Sequence, residues 1–167
     1  MSKINGVSMV EIGKKIPSVK LVDTELKEVD LRKATKGKAA IIAFFPGAFT
    51  GVCTTEMCKF RDSMSEFNSL NGDVYGISVD GPFPNKEFKE KNRLNFTILS
   101  DYRRKASKKF NVILENFANM EGYTASKRAV FVTDSKGIIR YKWVSDDPTV
   151  EPNYSEIKQA LSDISKQ

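Results

Sequence analysis

Ala39-Ala40-Ile41-Ile42-Ala43-Phe44-Phe45 is an unbroken apolar run that stops at Pro46-Gly47. A run of this length without polar alternation reads as a strand covered on both faces, which places it inside a largely parallel sheet. Downstream, Met57, Phe60, Met64, Phe67 and Leu70 recur at three- and four-residue spacing, so one helix is expected, ending near Asn71-Gly72. Strand and helix are joined by the loop that starts at Pro46.

The remaining segments continue the alternation. Val74–Val79 reads as a strand, Asn85–Asn92 as a helix, Phe96–Leu99 as a strand and Arg104–Phe110 as a helix. Ala129–Thr133 and Ile138–Trp143 flank the turn Asp134-Ser135-Lys136-Gly137 as a hairpin, and Asn153–Ile164 fits a last helix. This order predicts an α/β protein with a central mixed β-sheet flanked by helices, in a single domain over residues 1–167. In open α/β sheets functional residues gather at the carboxyl ends of strands, where the loop after Phe45 emerges.

That loop and the helix behind it hold Cys53 and Cys58, the two cysteines of the chain. A thiol in the first turn of a helix faces unpaired backbone N–H groups and the positive end of the dipole, which favour the thiolate. Cys53 is therefore the candidate nucleophile, although an isolated cysteine is more often a small buried apolar residue. There is no histidine, which excludes Ser-His-Asp and Cys-His mechanisms. With no histidine and two cysteines, no metal site and no metal cofactor are expected.

The formal charge of +6 comes from short groups such as Lys14-Lys15, Arg103-Arg104-Lys105 and Lys108-Lys109, with no aromatic residues between them for base stacking. A solvated surface fits them better than nucleic-acid binding. No stretch approaches the roughly 20 apolar residues that span a bilayer. Met1 to Lys20 has no signal-like apolar block, so a cytoplasmic protein with no membrane partner is expected.

Pro46, Thr50 and Cys53 form a Pro-x-x-x-Thr-x-x-Cys pattern, and with Glu56 and Arg128 the chain resembles the peroxiredoxin family. The resemblance extends over nearly the whole chain, because the strand before the motif, the Arg128–Asp134 strand and the following hairpin stand in family order. It implies a thioredoxin-like fold and a thiol peroxidase that uses no prosthetic group. Cys53 would attack a peroxide and become a sulfenic acid. Arg128 would hold the thiolate and orient the peroxide, Thr50 would bond thiolate and substrate oxygen, and Pro46 would shield the sulfur. Glu56 would steady the arginine and also benefit from the helix dipole, while Phe45 and Phe49 would wall a substrate pocket.

Thr55-Glu56-Met57-Cys58-Lys59-Phe60-Arg61-Asp62 resembles the Q-type, or bacterioferritin-comigratory, branch, which makes Cys58 the candidate resolving cysteine, with thioredoxin or a similar dithiol as reductant. Pro46-Gly47-Ala48-Phe49-Thr50 is closer to the type 5 and one-cysteine branches, for which Cys58 would be structural and an external thiol would reduce Cys53. The resemblance implies a monomer or a homodimer. Residues five apart on a helix have Cα atoms roughly 8.6 Å from each other, whereas a disulfide needs less than about 7 Å. A Cys53–Cys58 bridge therefore requires the helix to unwind.

Two further functions fit a thioredoxin-like chain. A general disulfide oxidoreductase would use Cys-x-x-Cys and a cis-proline before the later strand, where Ser126-Lys127-Arg128 stand instead. A non-catalytic binding or chaperone-like domain would use the basic surface for partners.

Overall fold

The computed structural model describes residues 10–167. The first nine residues, and with them the opening of the 1–167 domain and part of the Met1–Lys20 segment read as leaderless, lie outside the described residues. In chain order the strands are β1 (Lys20–Asp23), β2 (Glu28–Asp30), β3 (Ala39–Phe44), β4 (Gly72–Ser78), β5 (Thr97–Ser100), β6 (Ile113–Leu114), β7 (Ala125–Ser126), β8 (Arg128–Thr133) and β9 (Ile139–Ser145). The α-helices are α1 (Leu31–Ala34), α2 (Gly51–Asp62), α3 (Met64–Ser69), α4 (Pro82–Lys91), α5 (Lys105–Lys109) and α6 (Tyr154–Ser165).

Seven strands form one mixed sheet in the order β2-β1-β5-β4-β3-β8-β9. Strands β3, β4 and β5 run parallel, while β8 pairs antiparallel with β3, and β9 with β8. The apolar run is β3, buried at every residue, as a strand covered on both faces must be. Its alternate side chains feed two cores. Ile41, Ala43 and Phe45 pack with Met57, Phe60, Phe67, Phe88 and Leu161 of α2, α3, α4 and α6. Ile42 and Phe44 pack on the other face with Leu31, Ala106 and Phe110.

The helix expected from Met57 to Leu70 is two helices. It breaks at Ser63, whose backbone N–H is shared among the carbonyls of Lys59, Phe60 and Arg61. Met57, Phe60, Met64 and Phe67 are nevertheless all buried, because the apolar spacing survives the break. Helix α4 starts at Pro82, three residues before Asn85, since proline is tolerated in a first turn whose N–H groups have no partner. The hairpin turn lies where the sequence places it. Asp134 accepts backbone N–H bonds from Lys136 and Ile138, and Gly137 takes φ +80°. The pairs β1–β2 and β6–β7 and helix α1 have no counterpart in the sequence reading; they are short and carry little periodicity.

Gly76 in β4 sets how closely α2 approaches the sheet. A Cβ there would lie 2.8 Å from Ile98 Cδ1, 3.2 Å from Met57 Sδ and 3.4 Å from Phe45 Cε1. Gly76→Val is expected to destabilise the protein by about 1–3 kcal/mol through overpacking beneath the helix that carries Cys53. Urea denaturation checks this, and an unchanged midpoint would show that α2 is not seated by this gap.

Candidate active site

The carboxyl end of β3 leads directly into the site. Beyond the strand, Phe45 N–H donates to the Ile77 carbonyl at 2.9 Å, and Ser126 Oγ donates to the Phe45 carbonyl at 2.9 Å. Asp80, just after β4, accepts the Ala48 N–H at 2.7 Å and the Ser78 hydroxyl at 2.9 Å. These bonds hold the loop from Pro46 to Thr50, in which Pro46 and Gly47 are buried and Phe49 adopts φ +65°. A left-handed phenylalanine is costly, and it persists here because both ends of the loop are fixed.

Thr50 is the N-cap residue of α2, yet its hydroxyl does not cap the helix; it donates to the Gly47 carbonyl at 2.8 Å. Its single proton is thus committed to the loop rather than to the Cys53 sulfur. Cys53 is the third residue of α2, a free thiol with no exposed surface. The N–H groups of this first turn carry no side-chain cap.

Across the sheet, the first residue of β8 completes the site. Arg128 is 1% exposed; Nη2 donates to Cys53 Sγ at 3.1 Å and Nη1 donates to Glu56 Oε1 at 2.8 Å. Nε and Nη2 also donate to the Pro148 carbonyl at 3.1 and 2.7 Å. One guanidinium thereby fixes a thiol, a carboxylate and a backbone carbonyl, which its planar fork allows and a lysine does not. Burial works against the guanidinium's charge, but the neighbouring Glu56 and Cys53 outweigh it, and the net direction is upward.

Glu56 has no exposed surface, and its Oε2 is buried without a hydrogen-bond partner. Burial pushes its carboxyl up to about 7, with the Arg128 charge and hydrogen bond opposing. Contrary to expectation, Glu56 does not lie where the helix dipole would favour it. Glu56 is the sixth residue of α2, in its second turn, and the first turn contains no acidic residue.

The pattern residues Pro46, Thr50, Cys53, Glu56 and Arg128 thus meet at one place, with direct contacts joining Cys53, Glu56 and Arg128. As the wall of an opening, Phe45 is misplaced: its ring is fully enclosed in the core, 5.8 Å from Phe88, because it continues the inward-facing alternation of β3. Phe49 lies at the rim, 48% exposed and edge-on to Phe88 at 5.3 Å.

Cys58 is half-buried on the same helix, and its thiol points at Asn92 Oδ1, 3.9 Å away at the end of α4. Arg61 Nη1 donates to the Asn92 carbonyl at 2.7 Å and anchors this part of α2. The two cysteines thus have different neighbours in an intact helix.

Sequence reasoning missed Asp80, Ser126 and Pro148. Asp80 left a readable signal, a carboxylate directly beyond a buried strand. Pro148 contributes a backbone carbonyl, which no side chain announces. Among the described residues, no cluster of metal-ligating side chains, no cis peptide and no helix long and apolar enough to cross a membrane occurs.

Fold and site together define a thioredoxin-like α/β protein built around a buried thiol that an arginine holds at a helix N-terminus. The chain belongs to the AhpC/TSA family, whose sequence profile matches residues 12–142. Peroxiredoxin Bcp of Bacillus subtilis is 33% identical over 159 residues, covering 94% of this chain and 98% of that protein. Chloroplastic peroxiredoxin Q of Populus jackii is 37% identical over 131 residues; the match covers 78% of this chain and 59% of the relative's length. A crystal structure of a peroxiredoxin-like protein from Aquifex aeolicus matches with a TM-score of 0.79 and 30% identity, covering 92% of this chain and 87% of that one.

Because the folded-state value of Glu56 lies above its ordinary 4.5, the folded protein binds this proton more tightly than the unfolded chain does. The resulting stability is fully present below pH 4.5 and is lost as pH rises through about 7, a change on the order of 3 kcal/mol. Urea midpoints of wild type should fall over that window more steeply than those of Glu56→Gln; parallel curves would contradict the assignment.

Proposed function

We propose that this protein is a thiol peroxidase that reduces hydrogen peroxide and organic hydroperoxides with Cys53 as nucleophile and no prosthetic group. The observation that carries the reading is the Arg128 guanidinium 3.1 Å from a Cys53 sulfur enclosed in the first turn of α2. A fixed cation and unpaired N–H donors favour the thiolate and the negative charge that develops on the peroxide oxygens. The sulfur attacks one peroxide oxygen, the O–O bond breaks, and Cys53 becomes a sulfenic acid as water or an alcohol leaves. Phe49, 48% exposed on the loop before Cys53, is the residue proposed to wall the approach of the peroxide.

Cys58 is proposed as the resolving cysteine. Its thiol condenses with the Cys53 sulfenic acid, releasing water and forming a disulfide. Thioredoxin or a similar dithiol then restores both thiols by exchange. As the two sites lie roughly 8.6 Å apart along an intact helix, the Cys53 end of α2 must unwind first. Arg61 on Asn92 anchors the helix beyond that point. The one-cysteine alternative keeps Cys58 beside Asn92 and reduces Cys53 with an external thiol.

We further infer a single domain over residues 1–167, a cytoplasmic location, and a monomer or homodimer. Nucleic acid is not expected as a partner, because the basic groups Lys14-Lys15, Arg103-Arg104-Lys105 and Lys108-Lys109 have no aromatic residues between them for base stacking.

Stopped-flow mixing with hydrogen peroxide, followed by a dithiol, tests the cycle. Wild type should oxidise rapidly and turn over, Cys58→Ser should oxidise at a similar rate but lose dithiol-supported turnover, and Cys53→Ser should do neither. Oxidation of wild type no faster than free cysteine would reject the peroxidase reading. Peptide mapping of oxidised wild type should find a Cys53–Cys58 bridge; finding only mixed or intersubunit disulfides would favour the one-cysteine alternative.

A further inference from the structure

Cys53 and Glu56 are three residues apart on α2, neither has exposed surface, and both rest on one guanidinium. If both were ionised, the enclosed site would hold two negative charges and one positive. Among the described residues, Arg128 is the one cation that acts on Glu56. Glu151, on the loop between β9 and α6, adds a negative charge, and Lys59 of α2 is spent on it at 3.1 Å. Tyr154 of α6 donates its hydroxyl to Glu151 at 2.7 Å, and burial, then that bond, then the nearby Glu56 disfavour its ionisation. Facing Glu56 are therefore Arg128 from β8, Glu151 from the loop, Tyr154 from α6 and Cys53 from its own helix.

The hydrogen bonds distinguish the two oxygens of Glu56. Oε1 has Arg128, whereas Oε2 is buried without a partner. Burying an unpaired charge costs far more than burying an unpaired neutral group. A proton on Oε2 removes the excess charge at the atom that nothing else satisfies. The thiol has the converse setting, touching the guanidinium from within the uncapped first turn of α2, whereas Glu56 sits a turn later.

We propose that Cys53 and Glu56 share one proton across Arg128, so that a single negative charge always faces the single guanidinium. This rests on the peroxidase reading for its consequence. In the reduced site the charge is on the sulfur and the proton on Glu56. Peroxide oxidation withdraws two electrons from the sulfur, forms the S–O bond and breaks the O–O bond, leaving a neutral sulfenic acid and a hydroxide or alkoxide. Arg128 then faces Glu56 alone, which gives up its proton. The leaving oxygen gains that proton, directly or through water, and nothing is drawn from bulk solvent. Glu56 thereby acts through Arg128 as a positioning and charge-balancing residue. The upward direction of its proton affinity, caused by burial, agrees.

Proton stoichiometry tests this. Cys58→Ser protein, in which the sulfenic acid persists, is mixed with one equivalent of hydrogen peroxide in weak buffer containing a pH indicator, at a pH where ultraviolet absorbance shows the Cys53 thiolate. Little or no uptake is expected per Cys53 oxidised, and close to one proton in the Cys58→Ser, Glu56→Gln protein. Uptake near one with Glu56 present, or equal uptake in both, overturns the proposal. Infrared difference spectra remove dependence on the folding of the glutamine variant: the C=O band of a protonated carboxyl should disappear on oxidation of the Cys58→Ser protein, and no such loss overturns the proposal. If peroxide leaves Cys53 unoxidised, the peroxidase reading falls. The sharing is then judged on reduced protein, where the carboxyl band must persist at pH values at which the thiolate absorbs; its absence there overturns the sharing.

Discussion

Arg128 is the residue on which the site depends. Its fork touches a thiol on α2, a carboxylate one turn further along α2, and a carbonyl on the loop between β9 and α6. A guanidinium that is 1% exposed persists only where partners replace its water, and here those partners come from two separate elements, α2 and the loop after β9. The start of β8, the depth of α2 over Gly76 and the path of the loop through Pro148 must therefore all be right together. Thr50 and Asp80 serve the same end from the other side by holding the loop that leads into the helix.

The same interaction ties chemistry to conformation. Arg128 binds α2 through residues of its first two turns, while Arg61 binds its last turn to the end of α4. Oxidation of Cys53 alters only the first set. An unwinding limited to the Cys53 end of the helix, which the proposed disulfide requires, would leave the Arg61 anchor in place. Half-buried Cys58, beside Asn92, lies between the two sets.

The central strand, the alternation of strands and helices and the hairpin were legible because they rest on periodicity and on turn residues such as Asp134 and Gly137. Helix boundaries were less so. The break at Ser63 leaves the apolar spacing intact, and Pro82 hides a first turn that has no need of its N–H. In the site, helix position pointed to Cys53, and the family resemblance pointed to Arg128 and to a Glu56–arginine pair, which meet in the structure. The Thr50 hydroxyl bond to Gly47, the enclosure of Phe45, the φ of Phe49 and the carbonyl of Pro148 follow from backbone path, which side-chain chemistry does not encode.

In the proposed peroxidase the Arg128 guanidinium, placed on the sulfur, makes Cys53 reactive. The most direct measurement is the second-order rate constant for Cys53 oxidation by hydrogen peroxide, followed by stopped-flow in wild type and in Arg128→Gln, with circular dichroism to verify that the variant is folded. Loss of a preorganised charged donor should slow the folded variant roughly a hundredfold or more. A folded Arg128→Gln protein that reacts at the wild-type rate would contradict the account.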